Sequence, residues 1–202
     1  MHFNSGTVPH LHPQNRLRKS LELMKLFHTI VLYLVLIIAF APQTYAQSNG
    51  GSSAAVTTSL KGLHDITANN IMETAMMLDE DLYAYQPTED VRTTGELLAH
   101  IANAQFLFCS IAAGADNPSE VNFEETATMK DDIIAALESG FDYCAGVYEG
   151  MTDETGAEMA TVFGMEMARS AILAFNSTHN YEHYGNLVTY MRINGIVPPS
   201  SM

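Results

Sequence analysis

The spacing of three histidines is the feature of this sequence that most directly suggests chemistry. His179 and His183 are four residues apart, so on an α-helix they lie on one face, about one turn apart. His100 stands between Leu97 and Ala104, on the apolar face of another predicted helix. Three neutral imidazoles that converge from two helices suit a divalent transition metal and leave a coordination position open. The sequence therefore predicts that His100, His179 and His183 bind a metal, with zinc or nickel as the expected ion.

A structural role for the same histidines is the alternative hypothesis. A buried imidazole carries a donor and an acceptor, and leaving either one unpaired costs roughly 1–3 kcal/mol. A nearby tyrosine, asparagine or carbonyl satisfies many core histidines without a metal. The two hypotheses differ in one respect, because only a metal site requires the three rings to meet at one point.

Two polar residues near these histidines are candidates for supporting roles. Glu96 lies one turn before His100 and is the candidate general base, although Thr93 and Glu96 also have the spacing of a helix capping box. Asn176 lies about one turn before His179 and could hold a ring nitrogen of a metal ligand. A polar residue at a helix boundary is the alternative for Asn176.

The two cysteines, Cys109 and Cys144, are expected to be buried thiols. Cys109 lies nine positions after His100, about half a turn around the helix, so it is not expected to face the next helix. A disulfide is the alternative, because an exported chain with an even number of cysteines permits one.

The N-terminal residues have the pattern of a secretory signal. Residues 26–41 form an uncharged apolar run, and Thr44-Tyr45-Ala46, with small residues at its first and third positions, follows it. Basic residues precede the run at Arg16, Arg18, Lys19 and Lys25. We expect 1–46 to be an extension and signal peptide cleaved after Ala46, with Met24 as the true start. The protein is then exported to the periplasm or secreted, and it contacts a membrane only if the segment stays uncleaved.

The composition restricts the classes of partner. The chain has 202 residues with 9 Lys+Arg against 23 Asp+Glu, a formal charge of −14. Such acidity excludes nucleic acid as the expected partner, since phosphate binding needs clustered basic residues. The length fits one domain, and the 47% hydrophobic content is typical of a globular core.

Four stretches of the sequence have helical periodicity after a flexible leader at 47–62. The predicted helices span about 63–83, 94–113, 129–150 and 166–194. His64, at the start of the first, is expected at the surface, and Thr128 is expected to cap the third. Gly114 and Gly195 are placed to end the second and fourth helices. No stretch predicts a strand, so residues 63–200 are expected to form an all-α four-helix bundle.

Two segments resemble a known family. The segment RTTGELLAHI at 92–101 and the tail HNYEHYGNLVTYMRINGIVPPS at 179–200 are similar to the DinB-like superfamily. The resemblance covers roughly 63–200. It implies an up-down-down-up bundle whose middle two helices are parallel. It also implies a metal held by one histidine of the second helix and two of the fourth, which correspond to His100, His179 and His183.

The expected function follows from the metal site and the resemblance. We expect an exported DinB-like protein that binds a metal and acts as a metal-dependent hydrolase or transferase on a small molecule. Some relatives use a thiol cofactor such as bacillithiol or mycothiol, but the family is typically cytoplasmic, so such a cofactor suits an exported copy less well. The alternatives are a metal- or ligand-binding bundle without turnover, and a bundle that forms a homodimer through apolar helix faces.

Overall fold

The computed structural model describes residues 18, 21–30 and 54–202. Residues 21–30, which include Met24, are helical. Most of the apolar run of the predicted signal, its cleavage site at 44–46 and the predicted leader as far as residue 53 lie outside the described residues. The bundle lies entirely within 54–202.

Four long helices make up this part of the chain, which confirms the predicted fold class. They are α1 (Ala55–Met77), α2 (Thr94–Ala113), α3 (Lys130–Gly150) and α4 (Arg169–Ile193). The bounds of α2 agree with the prediction. Helix α1 begins at Ala55, so residues 55–62 of the predicted leader are helical. It ends at Met77, and Glu80–Ala84 form a separate 3-10 helix.

Helix ends follow the local sequence in most places. Thr93 accepts a hydrogen bond from the Glu96 amide and Glu96 accepts one from the Thr93 amide, which confirms the capping box. Gly114 and Gly195 adopt the left-handed conformation, with φ of 69° and 74°. The prediction for Thr128 was wrong. The first turn of α3 closes on the Met129 carbonyl, so Met129 occupies the capping position and no side chain caps this helix.

A two-stranded hairpin precedes α4, where no strand was predicted. Strands β1 (Met159–Val162) and β2 (Met165–Ala168) pair antiparallel, with Val162 opposite Met165. The two-residue turn between them, Phe163-Gly164, has positive φ at both positions, 51° and 76°. This is the geometry of a type I′ turn, which matches the twist of paired strands. The strands were missed because each has only four residues.

The order of contacts between helices gives the topology. Helix α2 contacts α3 through Gly95 with Ile133, Ala102 with Gly140, and Cys109 with Cys144. Residue numbers rise together along both helices, so α2 and α3 are parallel. At Gly140 a Cβ atom would lie 3.1 Å from the Ala102 carbonyl oxygen, so any side chain here would crowd the backbone of α2.

The outer helices run opposite to the middle pair. Helix α4 is antiparallel to α2, since Phe108 contacts Phe175 near one end and His100 contacts His179 further along. Helix α1 is antiparallel to α3, because Lys130 donates to the Leu78 carbonyl just after the end of α1. These directions confirm the up-down-down-up bundle with parallel middle helices.

The connection between α2 and α3 has to return along the bundle because these helices are parallel. It contains a short helix, Phe123–Thr126, that lies against α2. The Asn103 side chain on α2 accepts from the Phe123 amide at 2.8 Å and donates to Asn122 at 2.6 Å. Phe123, far along the connection, is thereby held beside the middle of α2.

The core consists of two apolar clusters with polar residues between them. The first contains Ile71, Leu98, Ile101, Leu137 and Leu187, among others. The second contains Phe108, Cys109, Cys144, Ile172 and Leu173, among others. Among the described helices, α2 alone is long and apolar enough to cross a membrane, but most of it is buried by the other helices.

The expectation that His64 lies at the surface was wrong, since only 1% of it is exposed. The face of α1 that points into the core carries Thr67 and Thr74, whose hydroxyls donate to carbonyls of their own helix. Threonine can therefore face the core without an unpaired hydroxyl. Leu63 and Ile66 are 45% and 53% exposed, so apolar residues alone indicated the wrong face.

The expectation of two free thiols was also wrong, because Cys109 and Cys144 form a disulfide. Their Cα atoms are 5.4 Å apart, which is a common separation for a bridged pair. Cys109 does face away from the side of α2 that carries His100, as the helical spacing indicates. Helix α3 lies on that opposite side, and only the tertiary arrangement decides this.

Candidate metal centre

The three predicted ligands meet at one point between α2 and α4. His179 Nε2 lies 3.2 Å from His100 Nε2 and 3.0 Å from His183 Nε2. One ring nitrogen from each residue lies within 4.8 Å of the other two. Around a tetrahedral metal with nitrogen ligands at ~2.0–2.1 Å, the nitrogens are about 3.3 Å apart. The observed spacing is close to that value, so these three histidines could hold a metal ion.

Antiparallel packing of α2 and α4 produces this convergence. His179 and His183 lie on successive turns of α4, and their rings are nearly perpendicular, at 86°. His100 reaches them from α2, with ring centroids 5.1 Å from His179 and 4.9 Å from His183. The alternative in which the rings remain apart is therefore not what the structure shows.

Hydrogen bonding between the rings cannot satisfy all three Nε2 atoms. His179 Nε2 faces two other Nε2 atoms, but a neutral ring nitrogen offers either one proton or one lone pair. At most one of its two contacts can then be a well-directed hydrogen bond. A cation at the common point would accept all three lone pairs, so the donor set fits a metal better than it fits a hydrogen-bonded cluster.

Burial keeps two of these rings neutral. It lowers the pKa of His179 to about 3, helped by the neighbouring His183 and His100. It also lowers the pKa of His183 to about 4, with a further contribution from His100. Neutral imidazole is the form that binds a metal, and both rings hold this form at neutral pH.

The third ring is oriented by Glu124, a residue that the sequence analysis missed. His100 Nδ1 lies 3.0 Å from Glu124 Oε2, and Arg92 Nε donates to Glu124 Oε1 at 2.9 Å. Burial raises the pKa of Glu124, but the hydrogen bonds from His100 and Arg92 outweigh it and bring this pKa below its ordinary value. The carboxylate therefore stays ionised and turns His100 Nε2 toward the other histidines, an arrangement common around metals.

Glu124 could not have been found from helical spacing, because it lies in the connection between α2 and α3. Its position depends on the return of that connection along α2 and on the contacts of Asn103 described above. The nearest signal in the sequence is the capping pattern of Asn122 before the short helix, which indicates a turn but not a site.

The structure places the other two candidates elsewhere. The Glu96 carboxylate receives hydrogen bonds from the Thr93 amide and hydroxyl at 2.8 and 3.1 Å, on the exposed side of α2. Asn176 is buried inside α4, so it is not at a helix boundary, and its amide donates to Gln105 at 3.0 Å. Asn176 makes no hydrogen bond to any of the three metal-site histidines, so it does not hold a ligand ring.

A cavity of about 620 Å³ opens beside His100 and His179. Glu124 also lines it, so a carboxylate lies in the cavity wall next to the candidate ligands. The arrangement thus has the parts of a reactive site: a set of metal-binding nitrogens, an ionised carboxylate and space for a small molecule.

A family model described as the DinB superfamily matches residues 64–187, which include all three histidines and Glu124. The chain belongs to the DinB superfamily. This confirms the resemblance inferred from the 92–101 segment and the tail.

Individual DinB relatives agree with this assignment. The Bacillus subtilis (strain 168) protein YjoA is 28% identical over 134 residues, which cover 64% of this chain and 85% of YjoA. The crystal structure of YjoA superposes with a TM-score of 0.54 at 22% identity, over 68% of this DinB chain and 92% of YjoA. The crystal structure of a DinB-like protein from Bacillus cereus ATCC 10987 superposes with a TM-score of 0.58 at 17% identity, over 66% of this chain and 89% of that protein.

A mycothiol-dependent maleylpyruvate isomerase has the same fold. Its TM-score is 0.55 at 14% identity, and the match covers 65% of this DinB chain and 60% of the isomerase. At such identities these structures show the fold alone.

Proposed function

We propose that this protein is an exported DinB metalloprotein in which His100, His179 and His183 hold a divalent transition metal, zinc or nickel. It acts on a small molecule as a hydrolase or transferase. The observation that carries the proposal is the convergence of three Nε2 atoms, 3.0 and 3.2 Å apart for the two closest pairs.

The residues of the chain have distinct tasks in this proposal. A bound metal supplies a Lewis acid that polarises a substrate atom. His179 and His183 provide neutral nitrogens because they are buried. Glu124 orients His100, and Arg92 holds Glu124 in place. The cavity gives a substrate access to His100 and His179.

Turnover is favoured over simple metal storage by the cavity and its carboxylate. A site that only stored a metal would need the three histidines and nothing beyond them. Here Glu124 lines a cavity of small-molecule size next to the ligands. The maleylpyruvate isomerase of the same fold is an enzyme, which supports catalysis as a use of this scaffold.

The disulfide supports the proposed export. Disulfides persist in oxidising compartments such as the periplasm and are rare in the cytosol. The Cys109–Cys144 bridge therefore agrees with the signal-like pattern of residues 26–46, which is an independent feature of the sequence. Mass spectrometry of the exported chain should find a new N-terminus at Gln47, and an intact segment would contradict cleavage.

Elemental analysis tests the metal site. The mature chain, purified without a histidine tag, should carry about one zinc or nickel ion per molecule. His183→Ala should lose most of this metal and keep its helical circular dichroism. Tyr181→Phe is the matched control, because Tyr181 lies two residues away on the exposed side of α4. Equal metal content in His183→Ala and the control would overturn the assignment.

A further inference from the structure

The cavity beside the histidines is mostly apolar. Its wall is formed by side chains from α2, from the α2–α3 connection, from the hairpin turn and from α4. The apolar members are Ala104, Phe106, Leu107, Phe108, Val121, Phe163 and Phe175. A volume of about 620 Å³ falls within the range of small-molecule sites, roughly 300–1,000 Å³. Its size and lining suit a compact apolar ligand.

Three phenylalanines form one wall of the cavity. The Phe108 ring centroid lies 5.2 Å from Phe175 and 5.9 Å from Phe163, and both pairs are edge-to-face. Phe108 also lies 5.4 Å from the His179 ring, so the aromatic wall is continuous with the candidate metal ligands. Flat aromatic molecules bind well to such a wall because edge and face contacts are both available.

Phe163 occupies a backbone position that does not favour phenylalanine. It is the first residue of the type I′ turn, with φ of 51°, where asparagine, aspartate and glycine are preferred. Its side chain is 65% exposed, so burial in the core does not explain it either. What the ring does contact is Phe108 and Phe175, the rest of the aromatic wall.

Without a bound metal, the charge in the cavity disfavours an anionic occupant. Among the described residues that line it there is no lysine or arginine, and Glu124 is the charged member. Glu124 already accepts hydrogen bonds from Arg92 and Asn103 and contacts His100. The other polar side chains of the lining are uncharged and come from α2 and the α2–α3 connection: Asn103, Asn117, Ser119 and Asn122. The wall formed by Phe108, Phe163 and Phe175 is aromatic.

We propose that this cavity binds a neutral aromatic small molecule, with its one polar end at His100 and His179 and its ring against Phe108, Phe163 and Phe175. The inference rests on the proposed function, because the polar end would meet the metal. It adds the chemical class of the substrate and gives Phe163 a role in binding it.

A pair of fluorescent probes tests this inference on the mature, metal-free protein. N-phenyl-1-naphthylamine is neutral, and 1-anilinonaphthalene-8-sulfonate carries the same ring system with an added sulfonate. The neutral probe should bind more tightly, because the cavity holds a carboxylate and no basic side chain. Equal or tighter binding of the sulfonate would overturn the proposed class of ligand.

A substitution in the turn locates the probe. Phe163→Asn removes the ring and places at this position a residue that accepts the left-handed backbone, so the hairpin should be preserved. Binding of the neutral probe should weaken roughly three- to tenfold, the value of one lost aromatic contact. Tyr181→Asn removes an exposed ring of α4 that does not line the cavity, and should change nothing. Equal affinity in the two variants would overturn the role of Phe163.

The probe and metal experiments fail separately. Probe binding is measured without metal, so failure of the neutral probe to bind refutes the aromatic site and leaves the metal assignment intact. Metal content is measured without probe, so a purified wild-type protein that carries no metal refutes the proposed function. Probe binding that disappears as the protein is concentrated would show that a second copy of the chain fills the cavity, and this outcome would also overturn the inference.

Discussion

Glu124 shows how a residue outside the ligand set shapes the candidate metal centre. Its two carboxylate oxygens contact different partners, His100 on one side and Arg92 on the other. The ring of His100 can rotate, and the contact at Nδ1 selects the orientation in which Nε2 faces His179. The affinity of the site for metal should therefore depend on Glu124 even though it lies outside the set of metal-binding nitrogens.

Glu124→Gln tests this dependence. The substitution keeps the shape of the side chain and removes the charge that holds His100 and Arg92, so metal affinity should fall roughly 10- to 100-fold. Chelator competition measures the affinity. Glu120→Gln is the control, since Glu120 is an exposed residue of the same connection. Unchanged affinity in Glu124→Gln would show that the ring is held by packing alone.

At the scale of elements, the disulfide joins two helices that the sequence separates widely. Cys109 lies near the end of α2 and Cys144 in the second half of α3, with a sequence separation of 35. The connection it closes includes the short helix that carries Glu124. A covalent link across this loop restricts the unfolded chain, and that restriction is the main source of its stabilisation.

Replacing both cysteines should destabilise the bundle. For a loop of this length the chain-entropy relation gives a loss of about 3–4 kcal/mol in the free energy of unfolding for Cys109→Ala with Cys144→Ala. Urea unfolding followed by circular dichroism measures it. The wild-type protein after full reduction is the comparison, because it keeps the sulfur atoms and loses only the link. A loss much smaller than about 1 kcal/mol in both samples would show that packing holds α2 on α3 without the bridge.

At the scale of the whole molecule, buried imidazoles make stability depend on pH. His64 stacks on Tyr148 at 4.4 Å between ring centroids, and neither of its ring nitrogens has a hydrogen-bond partner in the described bundle. Burial lowers the pKa of His64 from 6.5 to about 4. Below pH 6.5 the unfolded chain therefore takes up a proton that the folded chain does not, and the folded state loses stability.

The contribution of His64 has a definite pH window. It should leave stability unaffected above about pH 6.5 and lower it progressively toward about pH 4, by roughly 2 kcal/mol at about pH 5. Urea unfolding of the metal-free protein at about pH 7 and about pH 5 should show a smaller loss in His64→Leu than in the wild type. The same loss in both proteins would show that His64 does not titrate in this window.

Local rules of the chain accounted for the bounds of α2 and for the shared face of two candidate ligands. The Thr93–Glu96 capping box predicted the start of α2, and the four-residue spacing predicted that His179 and His183 share a face. These features depend on hydrogen bonds and spacings within one helix. The sequence contains them completely, whatever the helix packs against.

Tertiary structure decided everything that depends on which face meets which neighbour. Parallel packing of α2 and α3 brought Cys109 to Cys144 and returned Glu124 to His100. Packing also turned His64 inward. It lies on the same face of α1 as Thr67 and Thr74, and this face can be buried because each threonine hydroxyl donates to a carbonyl of its own helix. Contacts between residues far apart in the chain depend on helix direction and rotation, and no local spacing encodes either of these.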